Sequence, residues 1–157
     1  MAFKEWAVVV DALGRGEQIL VLRKGGIAEG RGGFQPEHER FWLFPTAFHQ
    51  QRESIIPEAR TRFDSAVAPV MAEGTVPIQY FVQLETAHEV TSLEAALSLS
   101  GQHIWTEEVV RSRFDWGGSQ RIFALLFYVF ALPKPVAAAD APRVRRLQVV
   151  DRTGRGT

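Results

Sequence analysis

The longest apolar run in the chain, Ile122–Leu132, constrains the fold more than any other segment. It holds eleven residues and no charged side chain. A helix needs about 20 apolar residues to cross a bilayer, so this run is too short for a membrane span. Because no polar face alternates through it, we predict a strand that is buried on both faces, as in the middle of a sheet.

The first third of the chain also has strand character. Trp6–Leu13 and Gln18–Arg23 are β-rich runs separated by Gly14–Glu17, and this pattern predicts a hairpin. Arg40–Phe44 reads as a short aromatic strand. Pro45 should end it, because proline has no backbone N–H to donate.

Two later segments predict strands as well. Val76–Leu84 alternates apolar and polar side chains, as a half-buried strand does. Val144–Val150 follows an alanine- and proline-rich connector and is a candidate for a last edge strand.

Helices are predicted between these strands. Pro57 suits a first helical turn, and apolar residues follow it at helical spacing until Pro69 interrupts them. Thr91–Glu94 has the form of a capping box, which predicts a short helix. Thr106 can cap another helix that ends near Trp116–Gly118.

The order of these elements favours one fold class. Strands dominate both ends of the chain and helices lie between them, without regular βαβ alternation. We expect an α+β fold with a mixed, mostly antiparallel sheet, able to curl into a small barrel, and about three short helices. The domain should span residues 1–133, and residues 134–157 should hold the connector, the last strand and a frayed basic tail.

Composition limits the partners and the compartment. The chain has no cysteine, so disulfides and thiolate metal sites are impossible, and no secretory pattern opens it. We therefore expect a cytoplasmic protein with no membrane partner. Lysine plus arginine equals aspartate plus glutamate at 18 each, so the chain lacks the net positive charge of a strongly basic nucleic-acid binder. Local contacts to phosphate are still feasible, because Arg143–Arg155 holds five arginines and one aspartate.

A first candidate site lies where Arg23 and Lys24 leave a strand. They enter a segment with five glycines between Gly25 and Gly33. Glycines let a backbone approach a phosphate, and the two cations supply charge, so both are candidate ligand-binding residues. The pattern is not a Walker loop. The alternative, a charged strand end before a flexible turn, stays open.

A second candidate comes from the crowding of polar residues into Arg23–Gln50, around the aromatic strand. The residues concerned are Glu37, His38, Glu39, Phe44, Thr46, His49 and Gln50. Histidine can act as acid, base or ligand near neutral pH, so His38 and His49, with Glu37, are candidate catalytic groups. Phe44, Thr46, His49 and Gln50 are candidate ligand-binding residues. The alternative is that His49 and Gln50 cap a turn and that the acidic residues are solvated.

A third candidate is His103-Ile104-Trp105, followed by Arg113 and Trp116. Tryptophan beside arginine is typical of surfaces that stack on bases and hold phosphates. His103, Trp105 and Arg113 are therefore candidate ligand-binding residues. The alternative is that Trp105 and Trp116 fix a short helix to the core, with Arg113 stacked on one of them.

Several common active sites are excluded. No GxSxG or H-E-x-x-H motif occurs, and the histidine spacing fits no helical metal pair. We predict no metal site and no cofactor for a binding module.

The spaced motifs together resemble one family. They are Lys4-Glu5-Trp6, Leu22–Ile27, Glu37-His38, Leu43–Thr46, His49-Gln50 and His103-Ile104-Trp105. From about Phe3 to Pro133, the chain resembles the bacterial domain-of-unknown-function family numbered 1802. It departs where relatives tend to carry a tyrosine after the Pro-Thr pair, since Ala47-Phe48 stands here. The resemblance implies no settled activity. Some relatives are linked to restriction-endonuclease-like domains, which implies a place in restriction or other DNA processing and an endonuclease-like partner.

Three functions fit these observations: a recognition module, an enzyme and an adaptor. As a recognition module, the protein would present Arg23, Lys24, Trp105 and Arg113 to DNA or RNA. As an adaptor, it would dock a protein partner through its aromatic surface.

The second function is an enzyme that acts on a phosphate ester or nucleotide. His38 or His49 would be the general base, and Arg23 and Lys24 would stabilise negative charge. Only in this case would a divalent metal be expected, with Glu37 or Glu39 helping to hold it.

Overall fold

The computed structural model describes residues 2–24, 40–71 and 76–138, apart from the side chains of His49 and Gln50. The glycine-rich segment, Glu37, His38, Glu39, Val144–Val150 and the basic tail lie outside the described residues. The strands are β1 Ala2–Trp6, β2 Leu20–Arg23, β3 Arg40–Thr46, β4 Pro77–Val90 and β5 Ile122–Ala137. The α-helices are α1 Ala7–Gly14, α2 Pro57–Arg60, α3 Phe63–Met71, α4 Leu93–Leu97 and α5 Glu107–Asp115.

The five strands form one mixed sheet in the order β1-β3-β4-β5-β2. Only β1 and β3 run parallel, while β3 with β4, β4 with β5, and β5 with β2 are antiparallel. The expected α+β class with a mostly antiparallel sheet is confirmed. The apolar run at Ile122–Leu132 is a strand, as predicted, but among the described residues it has neighbours on both sides only at Phe123–Leu126. Its later half is not buried on both faces, since Tyr128 is 53% exposed. It continues to Ala137, so Val136 and Ala137 pair with Ile78 and Pro77 of β4 where we expected the connector.

The sheet curls but is not a barrel. Its two longest strands, β4 and β5, change register between Ile78 and Tyr80 and between Leu84 and Thr86. Such bulges bend a strand and increase its twist. The edge strands β1 and β2 come near each other, since the Arg23 side chain donates to the Lys4 carbonyl, yet among the described residues no ladder joins them. The barrel considered from the sequence is therefore not formed.

The start of the chain differs from the sequence prediction. Trp6–Leu13 is not a strand, because Ala7–Gly14 is a helix in which six of the eight residues are buried. A short apolar run without alternation suits a buried helix as well as a strand, and here packing on all sides outweighs the β propensity of three valines. The predicted hairpin is wrong for the same reason, and β2 pairs with β5 instead.

Gly14 ends α1 at a point where no side chain fits. A Cβ built on Gly14 would lie 2.2 Å from the Tyr80 ring on β4. The Tyr80 ring leaves no room for a side chain at this position. This close contact explains the glycine better than the hairpin turn that the sequence suggested.

Other predictions survive with shifted boundaries. β3 continues through Pro45 to Thr46, but it pairs with β4 only at Arg40–Trp42. The missing backbone N–H of Pro45 therefore breaks no hydrogen bond to β4. The helix expected from Pro57 is divided near Thr61, whose hydroxyl donates to the Glu58 carbonyl at 3.3 Å.

One predicted helix cap is present at Thr106, and the other is shifted from Thr91 to Ser92. The amide of Ala95 donates to the Ser92 hydroxyl at 3.0 Å, one residue later than the first residue of the capping box. The amide of Val109 donates to the Thr106 hydroxyl at 3.4 Å and so starts α5.

Apolar side chains cover both faces of the sheet. Phe41 and Leu43 belong to the main core with α1, whereas Trp42 between them packs with Ile78 and Phe81 in a second cluster. Since neighbouring residues of a strand point to opposite faces, the second cluster lies on the other side of the sheet. No helix within the described ranges is long and apolar enough to cross a membrane.

Candidate functional site

A cleft of about 370 Å³ opens where the two edge strands approach each other under α5. We call it the edge cleft. Its lining residues are Lys4, Glu5, Trp6, Leu22, Arg23, Lys24, Thr46, Ser112, Arg113 and Trp116. They come from β1, β2 and its next residue, β3, and α5 with the turn after it. Four separate segments therefore meet at one concave surface, as is usual for ligand sites.

The alternation of β1 puts a carboxyl group into this cleft. Phe3 and Glu5 are buried on one face of the strand, whereas Ala2 and Lys4 are exposed on the other. Glu5 thus occupies a position that would normally hold an apolar residue, and it is only 5% exposed. A buried carboxyl at the end of a cleft is a candidate for ligand contact.

Two arginines set the electrostatics around Glu5. Burial raises the pKa of the Glu5 carboxyl, and the charges of Arg113 and Arg23 and the Trp6 amide only partly oppose this rise. The Trp6 amide donates to Glu5 Oε1 at 2.8 Å. Removal from water therefore outweighs two nearby cations, and the carboxyl group is more basic than an ordinary glutamate.

Arg113 is held by a carbonyl and by two indole rings. It donates from Nη1 to the Leu22 carbonyl at 2.9 Å. Its guanidinium carbon lies 4.6 Å from the Trp105 ring centroid and 5.2 Å from that of Trp6. Burial lowers the pKa of Arg113, but an arginine remains a cation at neutral pH. The side chain is thus fixed beside the cleft with its charge intact.

Arg23 crosses from one edge of the sheet to the other. Its guanidinium donates to the Lys4 carbonyl on β1, and its Cζ lies 3.8 Å from the Phe3 ring centroid. Burial lowers its pKa as well, against the opposing effect of Glu5. Arg23 therefore forms one wall of the cleft and also links the two edge strands.

Lys24 is engaged by backbone oxygens. Its Nζ donates to the carbonyls of Phe114, Ser119 and Arg121, the last at 2.8 Å. Cations near the end of a helix satisfy carbonyls that have no intrahelical partner. Lys24 reaches the cleft, but these bonds give it a structural part in holding the turn after α5.

His103 and Trp105 lie behind the cleft. Both are buried, and the Trp105 amide donates to His103 Nδ1 at 3.2 Å. Burial, with Arg113 nearby, lowers the pKa of His103 to about 4, so its ring is neutral at pH 7. Trp105 packs edge-on against Trp6 with ring centroids 6.3 Å apart. These residues support Trp6 and Arg113 and do not line the cleft.

The rim of the cleft carries an exposed indole. Trp116 is 72% exposed and is followed by Gly117, whose φ of 73° suits glycine. It is therefore not the residue that fixes the helix to the core, which the sequence had allowed. Thr46 lies at the other side and donates to the Glu5 carbonyl at 3.2 Å.

The structure groups some of the candidates and separates others. Arg23, Lys24, Thr46 and Arg113 share the edge cleft, with His103 and Trp105 behind it. Phe44 packs against the second cluster, and the ammonium of Lys4 lies 5.9 Å from its ring centroid. His49 and Gln50 begin a short 3₁₀ turn, and Glu37 and His38 lie outside the described residues. Within the described part of the chain, no three acidic or histidine side chains group so that they could hold a metal.

The sequence did not identify Glu5, Trp6 and Ser112 as site residues, and it assigned Lys4 to no secondary-structure element. Because the first strand was expected to begin at Trp6, Glu5 was not expected to lie in the sheet. The available signal was the charged pair Lys4-Glu5 beside Phe3, which fits a strand that ends at Trp6.

Comparisons with known proteins agree with this fold. The family model described as Domain of unknown function (DUF1802) matches residues 2–149, which confirms the resemblance inferred from the sequence. No curated protein shows a significant match. The crystal structure of a tyrosine-to-phenylalanine variant of an ASCH protein from Zymomonas mobilis superposes with a TM-score of 0.52 at 16% identity. It covers 88% of this chain and 75% of that one. The unmutated ASCH protein gives 0.49 at 14% identity, covering 85% and 68%. At such identities the likeness establishes a shared fold alone.

Proposed function

The chain belongs to the family described as Domain of unknown function (DUF1802), and we propose that it is a nucleic-acid recognition module that holds an unpaired nucleotide in its edge cleft. The observation that carries the proposal is the meeting of two arginines, a buried carboxyl group and two indoles in one cleft. Proteins that bind single-stranded nucleic acid usually stack its bases on aromatic side chains and hold its phosphates with cationic ones.

The aromatic residues supply two kinds of surface. Trp6 is half-buried and is fixed by Arg113 and Trp105, so it offers a rigid wall. Trp116 at the rim is largely exposed and has no ring partner within the described residues. A base stacked on such an indole gains about 1–3 kcal/mol, largely irrespective of sequence.

The charge distribution favours a short contact over a long one. The chain is formally neutral, which argues against a track of many phosphates. Lys4 and Arg23 nevertheless put positive charge at the cleft. Lys4 makes only a long-range contact with the Phe44 ring in the described structure, so its ammonium is available to a phosphate. One nucleotide with its flanking phosphates fits this pattern better than a duplex.

The fold is compatible with this proposal. One structural neighbour of TM-score 0.52 is an ASCH protein, at 16% identity. This likeness concerns the fold alone and does not select DNA or RNA. A place in a restriction or DNA-processing system, in the cytoplasm and beside an endonuclease-like partner, remains a proposal that rests on the family resemblance.

A titration tests the proposed function. Fluorescein-labelled single-stranded DNA and RNA of mixed sequence are titrated with wild type, Lys4→Ala and Lys134→Ala, and anisotropy is measured at several salt concentrations. Lys134 is the matched control, since it is an exposed strand lysine that does not line the cleft. We expect Lys4→Ala to weaken binding for every sequence and to reduce the salt slope by about 1. Equal binding by the two variants, or none by wild type, would refute the proposal.

A further inference from the structure

Glu5 is the one acidic residue that lines the edge cleft in the described structure, and its hydrogen-bonding capacity is not used up. Its Oε1 accepts from the Trp6 amide, and it forms no ion pair with any described residue. A carboxylate has two oxygens and about four acceptor positions. A buried carboxyl group with unused acceptors normally meets a donor, and here the neighbouring space is the cleft.

Donors flank this acceptor. Arg113 and Arg23 each use one described hydrogen bond on a backbone carbonyl, and a guanidinium has five N–H groups. Both lie near enough to Glu5 to oppose the rise of its pKa, yet neither forms an ion pair with it. The cleft therefore presents an acceptor next to donors.

This pattern selects the part of a nucleotide that can enter. A phosphate placed against Glu5 would meet a like charge in a partly desolvated site, where repulsion is strong. A base edge avoids this conflict. Cytosine and adenine each carry an exocyclic amino group, a donor, beside a ring nitrogen that accepts. Uracil and thymine carry a carbonyl oxygen at the same position, which would face the carboxylate.

We infer that Glu5 reads the base: the edge cleft accepts cytosine or adenine, with the exocyclic amino group donating to Glu5 and the adjacent ring nitrogen accepting from Arg113 or Arg23. The inference rests on the proposed function and assigns its base preference. Carboxylate recognition of an exocyclic amino group is a known mode of base readout. A good two-bond contact discriminates by about 1–3 kcal/mol, which is roughly 5- to 150-fold in affinity.

Homopolymers test the inference. Labelled oligo-dC, oligo-dA and oligo-dT of equal length are titrated with wild type and Glu5→Gln. We expect wild type to prefer oligo-dC or oligo-dA over oligo-dT by roughly 5-fold or more. An amide can accept or donate at the same place, so in Glu5→Gln this ratio should fall toward unity while oligo-dT binding persists.

A competition experiment needs no variant and so does not depend on the folding of Glu5→Gln. Free cytidine or uridine is added to wild type bound to a labelled mixed-sequence strand. Stronger displacement by cytidine supports the inference. Equal displacement, together with equal binding of the three homopolymers, overturns it but leaves the proposed function standing. If no strand binds, the proposed function itself fails.

Discussion

The side chain of Arg23, at the end of β2, donates a hydrogen bond to the backbone carbonyl of Lys4 on β1. These strands are the two edges of the sheet, so a side chain connects edges that no described ladder joins. Both Arg23 and Lys4 also line the edge cleft. One residue thus stabilises the curled sheet and forms a wall of the site.

Replacement of Arg23 should therefore destabilise the fold. Arg23→Ala removes a charged hydrogen bond and the contact with the Phe3 ring, and we expect a loss of about 1–3 kcal/mol in the free energy of unfolding. Urea denaturation at neutral pH measures it. Arg15→Ala is the control, since Arg15 is an exposed arginine paired with Asp11 and should matter far less. Equal effects of the two substitutions would contradict the linking role.

Lys24 should act mainly on the turn after α5. Lys24→Met keeps the aliphatic chain but removes the ammonium that holds the carbonyls of Phe114, Ser119 and Arg121. Amide hydrogen exchange should become faster between Phe114 and Arg121, because local opening is no longer opposed by these bonds. Lys134→Met should leave the same amides unchanged. Unchanged exchange in Lys24→Met would mean that the three contacts are not stabilising.

His103 should make the protein sensitive to acid. Its pKa is lowered from 6.5 to about 4, so between these values the unfolded chain binds more protons than the folded one. Stability therefore falls as the pH drops through this window, by up to about 2 kcal/mol between pH 7 and pH 5. His103→Asn retains an acceptor for the Trp105 amide but does not titrate. Its urea midpoint should fall less over that range, and a parallel fall in both proteins would refute the assignment.

Glu5 should have the opposite dependence. Its pKa is raised by burial, so the stability that it contributes is present below the ordinary glutamate pKa and is lost as the pH rises through the raised value. Arg23, Arg113 and His103 are unchanged in Glu5→Gln, so a direct comparison isolates this carboxyl. The stability of Glu5→Gln relative to wild type should increase as the pH rises above the ordinary glutamate pKa. A constant difference would show that Glu5 is ordinarily solvated.

Trp116 should contribute binding energy without contributing much stability. Trp116→Ala should weaken single-strand binding by about 1–3 kcal/mol, roughly 5- to 150-fold, because an exposed indole at the cleft rim is lost. Tyr128→Ala is the matched control, an aromatic residue that is 53% exposed on β5 and does not line the cleft. Anisotropy titrations of both variants decide the point, and a loss of the same size in each would argue against a specific role.

The sequence predicted much of the fold and part of the site. The strand at Ile122–Leu132 and the cap at Thr106 were recognisable because each depends on local pattern. The helix at Ala7–Gly14 was not, because its conformation depends on burial from all sides. Arg23 and Arg113 could be proposed from their aromatic and glycine-rich surroundings. Glu5 could not, because its importance comes from strands that are far apart in sequence and meet only when the sheet curls.

Catalysis by His38 or His49 stays a prediction. Neither side chain belongs to the described part of the structure, and no described contact assigns either one to the edge cleft. Hydrolysis assays on nucleic acids with Mg²⁺, Mn²⁺ or Zn²⁺ test it independently of the binding experiments above.

The four tryptophans allow the most direct test of where nucleic acid binds. Each indole N–H gives its own signal in a ¹H–¹⁵N spectrum, and the four rings occupy distinct places. Trp6 and Trp116 line the edge cleft, Trp105 lies behind it, and Trp42 belongs to the cluster on the other face. On titration with a short single strand, we expect the Trp116 and Trp6 signals to shift and the Trp42 signal to stay in place. Shifts at Trp42 without shifts at Trp116 and Trp6, or no shift at any indole, would contradict binding in the edge cleft.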